Sequence, residues 1–209
     1  MVEPLFRTEF ATEPAAGLAV TLGGSEGKHA VNVRRMRVGE GIQLSDGKGL
    51  RVRGTVSALG NNSLTVAIDS VIRETEPTVG LTIIQALAKG DRDELAIQAA
   101  TELGIDAVIP WQANRSVSKW EGSKIAKSVA RWQSIVAEAS KQSLRSWIPS
   151  VTEPLTSNQL ANQVKEFGSV LILDPTAQVS LADLHFDAAS IALVVGPEGG
   201  IDSSELSRF

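Results

Sequence analysis

The chain has 209 residues, 43% of them hydrophobic, which is room for one large domain or two small ones with cores of their own. It has no cysteine and only two histidines, His29 and His185, far apart in sequence; this excludes disulfides and Cys-based zinc or redox sites and argues against a His-rich metal site. A net charge of −4 argues against a nucleic-acid partner until its distribution is read.

The N-terminal stretch through Pro14 is acidic and lacks an apolar h-region, so no signal peptide is expected, and no apolar run approaches the length of a membrane span. A cytoplasmic protein with no membrane partner and no metal is the expectation. Strands are predicted at Leu18–Leu22, Ile42–Ser45, Leu50–Ala58 and Leu64–Asp69, separated by the turn signals Asp46-Gly47-Lys48-Gly49 and Gly60-Asn61-Asn62. A helix from Ser25, its N-cap, to about Arg35 interrupts them. Short strands at this spacing suggest a small β-barrel over residues 1–75, with Glu74-Thr75-Glu76-Pro77 as linker.

From residue 79 to 209 strand and helix alternate. Leu81–Leu87, Ala107–Trp111, Val170–Leu173 and Ile191–Val195 read as strands. Asp91–Leu103, capped by Asp91 with Glu94 and closed by Gly104, reads as a helix, as do Ser123 to about Gln142 and Ser157–Phe167. The fold class is therefore α/β, a parallel sheet with helices on both faces, preceded by the small barrel.

Charge is segregated. From Arg115 to Arg145 there are seven Lys or Arg against Glu121 and Glu138; from Ser146 onward there are eight acids against Lys165 and Arg208. At 100° per residue, Ile125, Val129, Trp132, Val136 and Ala139 form one stripe of the long helix, with Trp132 as core. Lys124, Lys127, Arg131 and Lys141 fall nearly opposite, and Arg145 joins them if the helix continues. Such a cationic rail suits RNA, although charge runs are more often simply solvated faces. The cluster Arg34-Arg35-Met36-Arg37, with Arg51 and Arg53, could extend the rail from the barrel.

The most informative segment is Val195-Gly196-Pro197-Glu198-Gly199-Gly200-Ile201. It leaves a strand and enters a helix start in which Asp202 and Glu205 have capping-box spacing. Glycine backbone at the carboxyl end of a sheet strand can wrap a flat heterocycle; a tight turn with no ligand is the alternative. The segment fits neither GxGxxG nor GxxxxGK[ST], so no dinucleotide or triphosphate site is indicated by those motifs.

Taken together, these pieces resemble the ribosomal RNA small subunit methyltransferase E family, a SPOUT-class trefoil-knot methyltransferase. His29 through Arg37, Gly39-Glu40-Gly41 and Ser45-Asp46-Gly47 look like its PUA-like N-terminal barrel. Lys89-Gly90-Asp91-Arg92 with Gln98 and Thr101-Glu102-Leu103-Gly104 match its first strand–helix unit. Pro110, Arg115-Ser116-Val117, Trp120, Arg131-Trp132, Glu138-Ala139, Gln142-Ser143, Arg145 and Pro149 follow in order, and Gly196–Gly200 with Glu205 is its cofactor loop. The resemblance implies S-adenosylmethionine as cofactor, bound in a knot, and methylation of N3 of a uridine in 16S rRNA of the small ribosomal subunit. It also implies a homodimer with active sites near the interface. Leu173, Asp174, Val195, Gly196, Pro197, Glu198, Gly199, Gly200 and Ile201 are then the cofactor candidates. RNA candidates are Arg34, Arg35, Arg37, Lys89, Arg92, Arg115, Lys119, Lys124, Lys127, Arg131, Gln142 and Arg145.

Uracil N3–H must lose its proton before it attacks, so a site of this kind needs a proton acceptor and a group that stabilises the uracil anion. Glu198 is the candidate acceptor, or else only ties the loop to N–H groups. Arg145 and Arg115 are candidates for holding the anion or a phosphate. His29 reads as a structural residue of the barrel and His185 as surface. The chain stops at Phe209, where the family continues with a strand, a Gly-Pro loop followed by Val-Leu-Arg, and a helix. The expectation is a C-terminal part missing here, in a piece of a longer product or a crippled enzyme. The rivals are another SPOUT enzyme acting on a ribose 2′-OH or another base, a non-catalytic RNA-binding module, and, more distantly, a nucleotide-binding oxidoreductase.

Overall fold

The computed structural model describes residues 3–209; Met1 and Val2, the start of the expected barrel, lie outside the described residues. The chain forms two compact units, and neither is continuous. Residues up to Glu76 pack with Ser140–Ile148, and Pro77–Ala139 packs with Pro149–Phe209.

The first unit contains β1 (Leu5–Arg7), β2 (Ala19–Leu22), α1 (Gly24–Lys28), β3 (Gly41–Ser45), β4 (Leu50–Gly60) and β5 (Ser63–Arg73). Its sheet runs β1-β3-β4-β5-β2, with β1 parallel to β3 and the other pairs antiparallel. The β4–β5 hairpin turns through Asn61-Asn62, where Asn62 takes φ 63°, a conformation asparagine tolerates better than most residues. Alternate residues Val52, Val56, Leu64, Val66 and Ile68 face a core closed by Phe6, Leu22, Ile42 and Leu44.

The helix expected from Ser25 to Arg35 is shorter. Gly23 occupies its N-cap and makes no side-chain bond, so Ser25 lies inside α1. The chain then widens into a π-helical turn, His29–Val33, closed by the Arg34 N–H on the His29 carbonyl (2.9 Å). His29 packs edge-to-face on Phe6 at 5.7 Å. Arg35 sits at φ 54° and Met36 plugs the core, which ends the helical run.

Lys141 does not join the exposed rail predicted for it. It is buried and its ammonium donates to Glu26 Oε1 (2.9 Å), because the end of the long helix belongs to the first unit and a buried charge needs a counter-charge. Two more contacts hold the returning segment: Arg51 Nη1 donates to the Leu144 carbonyl (2.7 Å) and Trp147 Nε1 to the Glu74 carbonyl (3.1 Å).

The second unit is built on β6 (Gly80–Ala86), α2 (Arg92–Leu103), β7 (Ala107–Gln112), β8 (Ser150–Val151), β9 (Leu155–Thr156), α4 (Ser157–Gln163), β10 (Ser169–Leu173), β11 (Ser190–Val195) and α5 (Ser203–Leu206); α3 (Ser123–Gln142) begins in it. The sheet order is β10-β11-β6-β7-β8, with β9 also on β7, and every pair is parallel. Ile84, Ala86, Ile109, Trp111, Ala192 and Val194 pack with Leu160 and Val164 on one side, and the alternate residues Ile83, Leu87 and Val108 are buried as well. Burial of both faces is why these strands read as unbroken apolar runs.

Pro110 explains a break in this sheet. The Trp111 carbonyl accepts from Leu87 N–H and the Val108 carbonyl from Thr152 N–H, so residue 110 faces away from β6. Having no N–H, proline interrupts that ladder, and the partner chain leaves β7 after β8 and rejoins it as β9.

Two end signals turn out differently. Asp91 is the N-cap of α2 but makes no side-chain cap; Asp93 instead accepts the Ala88 (3.1 Å) and Glu94 (2.8 Å) N–H groups, and Glu94 turns to Arg131. Gly104 closes α2 at φ 117°, as expected. The helix predicted to Phe167 ends at Gln163 and tightens into a 3₁₀ turn, Val164–Glu166. No helix among the described residues is long and apolar enough to cross a membrane, and no His/Cys/Asp/Glu cluster among them could hold a metal.

Candidate functional site

Adjacent parallel strands β10 and β11 end side by side, with Leu173 in register with Val195. The loop Gly196–Gly200 leaves from that edge, where α/β sheets place their ligands. Asp174, the next residue after β10, accepts the Thr176 hydroxyl and N–H, and both bonds hold its carboxyl below the usual range. The glycines have separate reasons. A Cβ on Gly196 would come within 2.6 Å of Ile201 Cγ1. Gly200 takes φ 74°, donates to the Pro197 carbonyl (2.9 Å), and faces open space. Bare backbone next to half-exposed Leu173 fits a flat ligand held by main-chain groups, so the residues present suit a nucleoside-type cofactor.

Side chains fix this loop from three directions. Glu198 accepts its own N–H, the Lys89 N–H (3.0 Å) and Arg92 Nη1 (3.3 Å); these hold its carboxyl below the ordinary range. A carboxylate stabilised in this way is a poor proton acceptor and a good tether, the second of the roles considered for it. Arg115 donates from Nη1 to the Gly199 carbonyl (3.2 Å) and from Nη2 to Asp202 Oδ2 (3.1 Å). Asp202 also caps α5 through Ser204, and the Ser204 bonds are the main reason its carboxyl lies low, with Arg115 adding to them.

Beneath the loop, Glu205 is wholly buried and accepts the Asn114 N–H (2.8 Å), the Ser157 hydroxyl and the Asp202 N–H (3.1 Å). The Asp202–Glu205 spacing announced the cap, which forms. Nothing local announced Asn114 and Ser157, because they come from the ends of other strands. Trp111 Nε1 also donates to Ser157 (3.2 Å), and Phe209 packs edge-to-face on Trp111.

The RNA-facing candidates divide by what their charges meet. Arg92, Arg115 and Arg131 each pair with a carboxylate: Glu198, Asp202 and Glu94. Arg34, Arg35 and Arg37 are exposed, and their guanidinium groups have no partner among the described residues. Lys89, Lys119 and Lys127 are exposed, and Lys124 donates to the Lys119 carbonyl (3.0 Å). Gln142 and Arg145 belong to the segment that packs with the first unit; Gln142 is exposed, and the half-buried Arg145 closes the helix end by donating its N–H to the Ser140 carbonyl (2.9 Å). Lys89 is also drawn into the site by its backbone N–H, which no reading of side-chain type could show.

Comparison with known proteins bears on this arrangement. Residues 74–209 match the RNA methyltransferase domain family and residues 22–69 the RNA methyltransferase PUA domain. The chain is 40% identical, over all of its length and 81% of the relative's, to ribosomal RNA small subunit methyltransferase E of Mycobacterium tuberculosis. To the protein of the same name in Bacillus subtilis it is 30% identical, over 97% of this chain and 82% of that one. A methyltransferase from Legionella pneumophila, solved with the bound cofactor SAM, superposes with a TM-score of 0.85 at 26% identity, over 100% of this chain and 85% of that one. Ribosomal RNA small subunit methyltransferase E from Neisseria gonorrhoeae, bound to S-adenosyl methionine, gives 0.83 at 28%, over 99% and 85%. With a parallel α/β unit, a matching PUA domain and a glycine loop fixed at the strand ends, the chain belongs to the ribosomal RNA small subunit methyltransferase E family.

Proposed function

We propose that this protein transfers a methyl group from S-adenosylmethionine to N3 of a uridine in 16S rRNA of the small ribosomal subunit, in the cytoplasm. The observation that carries the reading is the Gly196–Gly200 loop, held rigid by Glu198, Arg115 and Asp202 at the ends of β10 and β11. The sulfonium cofactor supplies an electrophilic methyl and needs no metal. The protein's task is placement: the bare backbone at Gly199 and Gly200 receives the cofactor, and the two arginine–carboxylate pairs keep the loop from rearranging when it binds.

Glu198 acts in this reading as a tether. With Glu198 a tether, the N3 proton is released to solvent water; Arg145 is the candidate that stabilises the uracil anion so formed, and Arg34, Arg35 and Arg37 grip phosphates. A homodimer with the knotted cofactor pocket implied by the family is part of the same proposal. Small ribosomal subunits lacking the modification, incubated with labelled S-adenosylmethionine, should yield N3-methyluridine on nucleoside mass spectrometry. A methyl found on a ribose, or no transfer at all, would refute the assignment. Arg145→Ala should lower kcat more than it raises KM for the cofactor.

A further inference from the structure

In the second unit a cleft of about 560 Å3 opens between α2 and α3, apart from the glycine loop. Its charged lining consists of Lys124, Lys127 and Arg131 from α3 facing Asp93 and Glu94 from α2. These charges do not cancel. Glu94 is engaged by Arg131 through two nitrogens, which neutralises that pair. Asp93 is buried with both its oxygens turned to backbone N–H groups, so it is not free to pair with the lysines, and three cations stand against two carboxylates in the lining. Lys127 has no partner among the described residues, and Lys124 gives one donor to the Lys119 carbonyl and keeps the rest. The cleft is therefore positive on a chain whose net charge is −4.

Its aromatic residues decide what kind of group could enter. Trp120 and Trp132 pack edge-to-face at 4.9 Å and are 5% and 1% exposed, so neither offers a face to a nucleobase. Cationic walls without a stacking platform select a phosphate over a base. The cleft also has a direct link to the loop. Ala88 and Gly90 line it, while Lys89 between them donates its N–H to Glu198.

We propose that this cleft is a phosphodiester subsite for the RNA strand, in which Lys124 and Lys127 hold a backbone phosphate near the methylated nucleotide. The subsite rests on the RNA methyltransferase reading above and adds to it where the strand runs. Recognition there is independent of sequence, and selectivity for the target base lies elsewhere.

The test uses the full chain, a labelled single-stranded RNA oligonucleotide and a salt titration. Lys124→Gln/Lys127→Gln should weaken RNA binding about tenfold and reduce the slope of log K against log salt by about 0.7, the loss of one phosphate contact for single-stranded RNA. Affinity for S-adenosylmethionine should stay unchanged, and Lys124→Arg/Lys127→Arg should keep the slope. Lys165→Gln, on another surface, should leave both quantities alone. An unchanged slope in the double variant, an equal loss in Lys165→Gln, or a matching loss of cofactor binding would overturn the subsite. The parent reading fails separately: a wild-type chain that transfers no methyl sinks it, whereas one that methylates subunits beside a double variant of unchanged slope sinks the cleft alone.

Discussion

The glycine loop and the Arg34–Arg37 turn are both short exposed segments that use left-handed backbone, at Gly200 and at Arg35, yet their arginines end in opposite places. Around the loop, Arg92 and Arg115 fold back onto Glu198 and Asp202 and become part of the scaffold. In the turn, three guanidinium groups face solvent without partners among the described residues, held out by a π-helical turn on one side and buried Met36 within. A cation counted in a sequence is thus not yet a cation available to a phosphate. What decides is whether the fold brings a carboxylate within reach.

The largest expected effect tests the scaffold beneath the loop. Glu205→Ala leaves the Asn114 and Asp202 N–H groups and the Ser157 hydroxyl without their acceptor, and should cost about 3 kcal/mol of stability, read as a lower thermal midpoint. An unchanged midpoint would show that the buried carboxylate is not a fastening. Next in size, Arg34→Ala/Arg35→Ala/Arg37→Ala should weaken RNA binding about thirtyfold and flatten its salt slope by about 2, with cofactor affinity intact.

Arg115→Ala should do the reverse: cofactor affinity falls about tenfold and the RNA salt slope stays put. Arg115→Lys should recover little, since one ammonium cannot span both the Gly199 carbonyl and Asp202 in the same geometry. A flattened RNA slope with normal cofactor binding would move Arg115 to the RNA surface and erase the contrast.

Smaller effects follow from pH and backbone. The carboxyls of Glu198 and Asp202 are held below their unfolded values, so their contribution is complete above those values and disappears as pH falls through the folded ones. Cofactor affinity, to the extent that it depends on the loop, should be flat through neutrality and drop only below about pH 4, and Glu198→Gln should blunt that drop. A titration of loop binding near pH 7 would contradict the depressed carboxyls. Finally, Arg35→Gly should raise stability by about 1 kcal/mol, because glycine has no penalty at φ 54°, while weakening RNA binding. A fall in both would mean that the Arg35 side chain supports the turn rather than serving RNA.

Much of this architecture was legible in order and type. The hairpin through Asn61-Asn62, the long α3 with Trp132 inward, the Gly104 stop and the Asp202–Glu205 cap all rest on interactions within a few residues, and the structure has each of them. The misses share a cause. β1, β8 and β9 are two or three residues long, too short to show a period, and exist only because a neighbouring strand accepts them. Asp91 and Ser25 had the chemistry of caps, but Asp93 satisfied the turn before α2 and Gly23 occupied the cap of α1.

The sequence by itself determined where backbone must bend, which faces are apolar, and that a glycine loop follows a sheet strand, because those are properties of neighbours along the chain. Tertiary structure alone decided that Lys141 is buried against Glu26, that residues 140–148 return to the first unit, and that Glu198 ties down its loop. Each of those outcomes depends on a partner many tens of residues away, and a charge or a hydrogen-bonding group takes its role from the partner it meets.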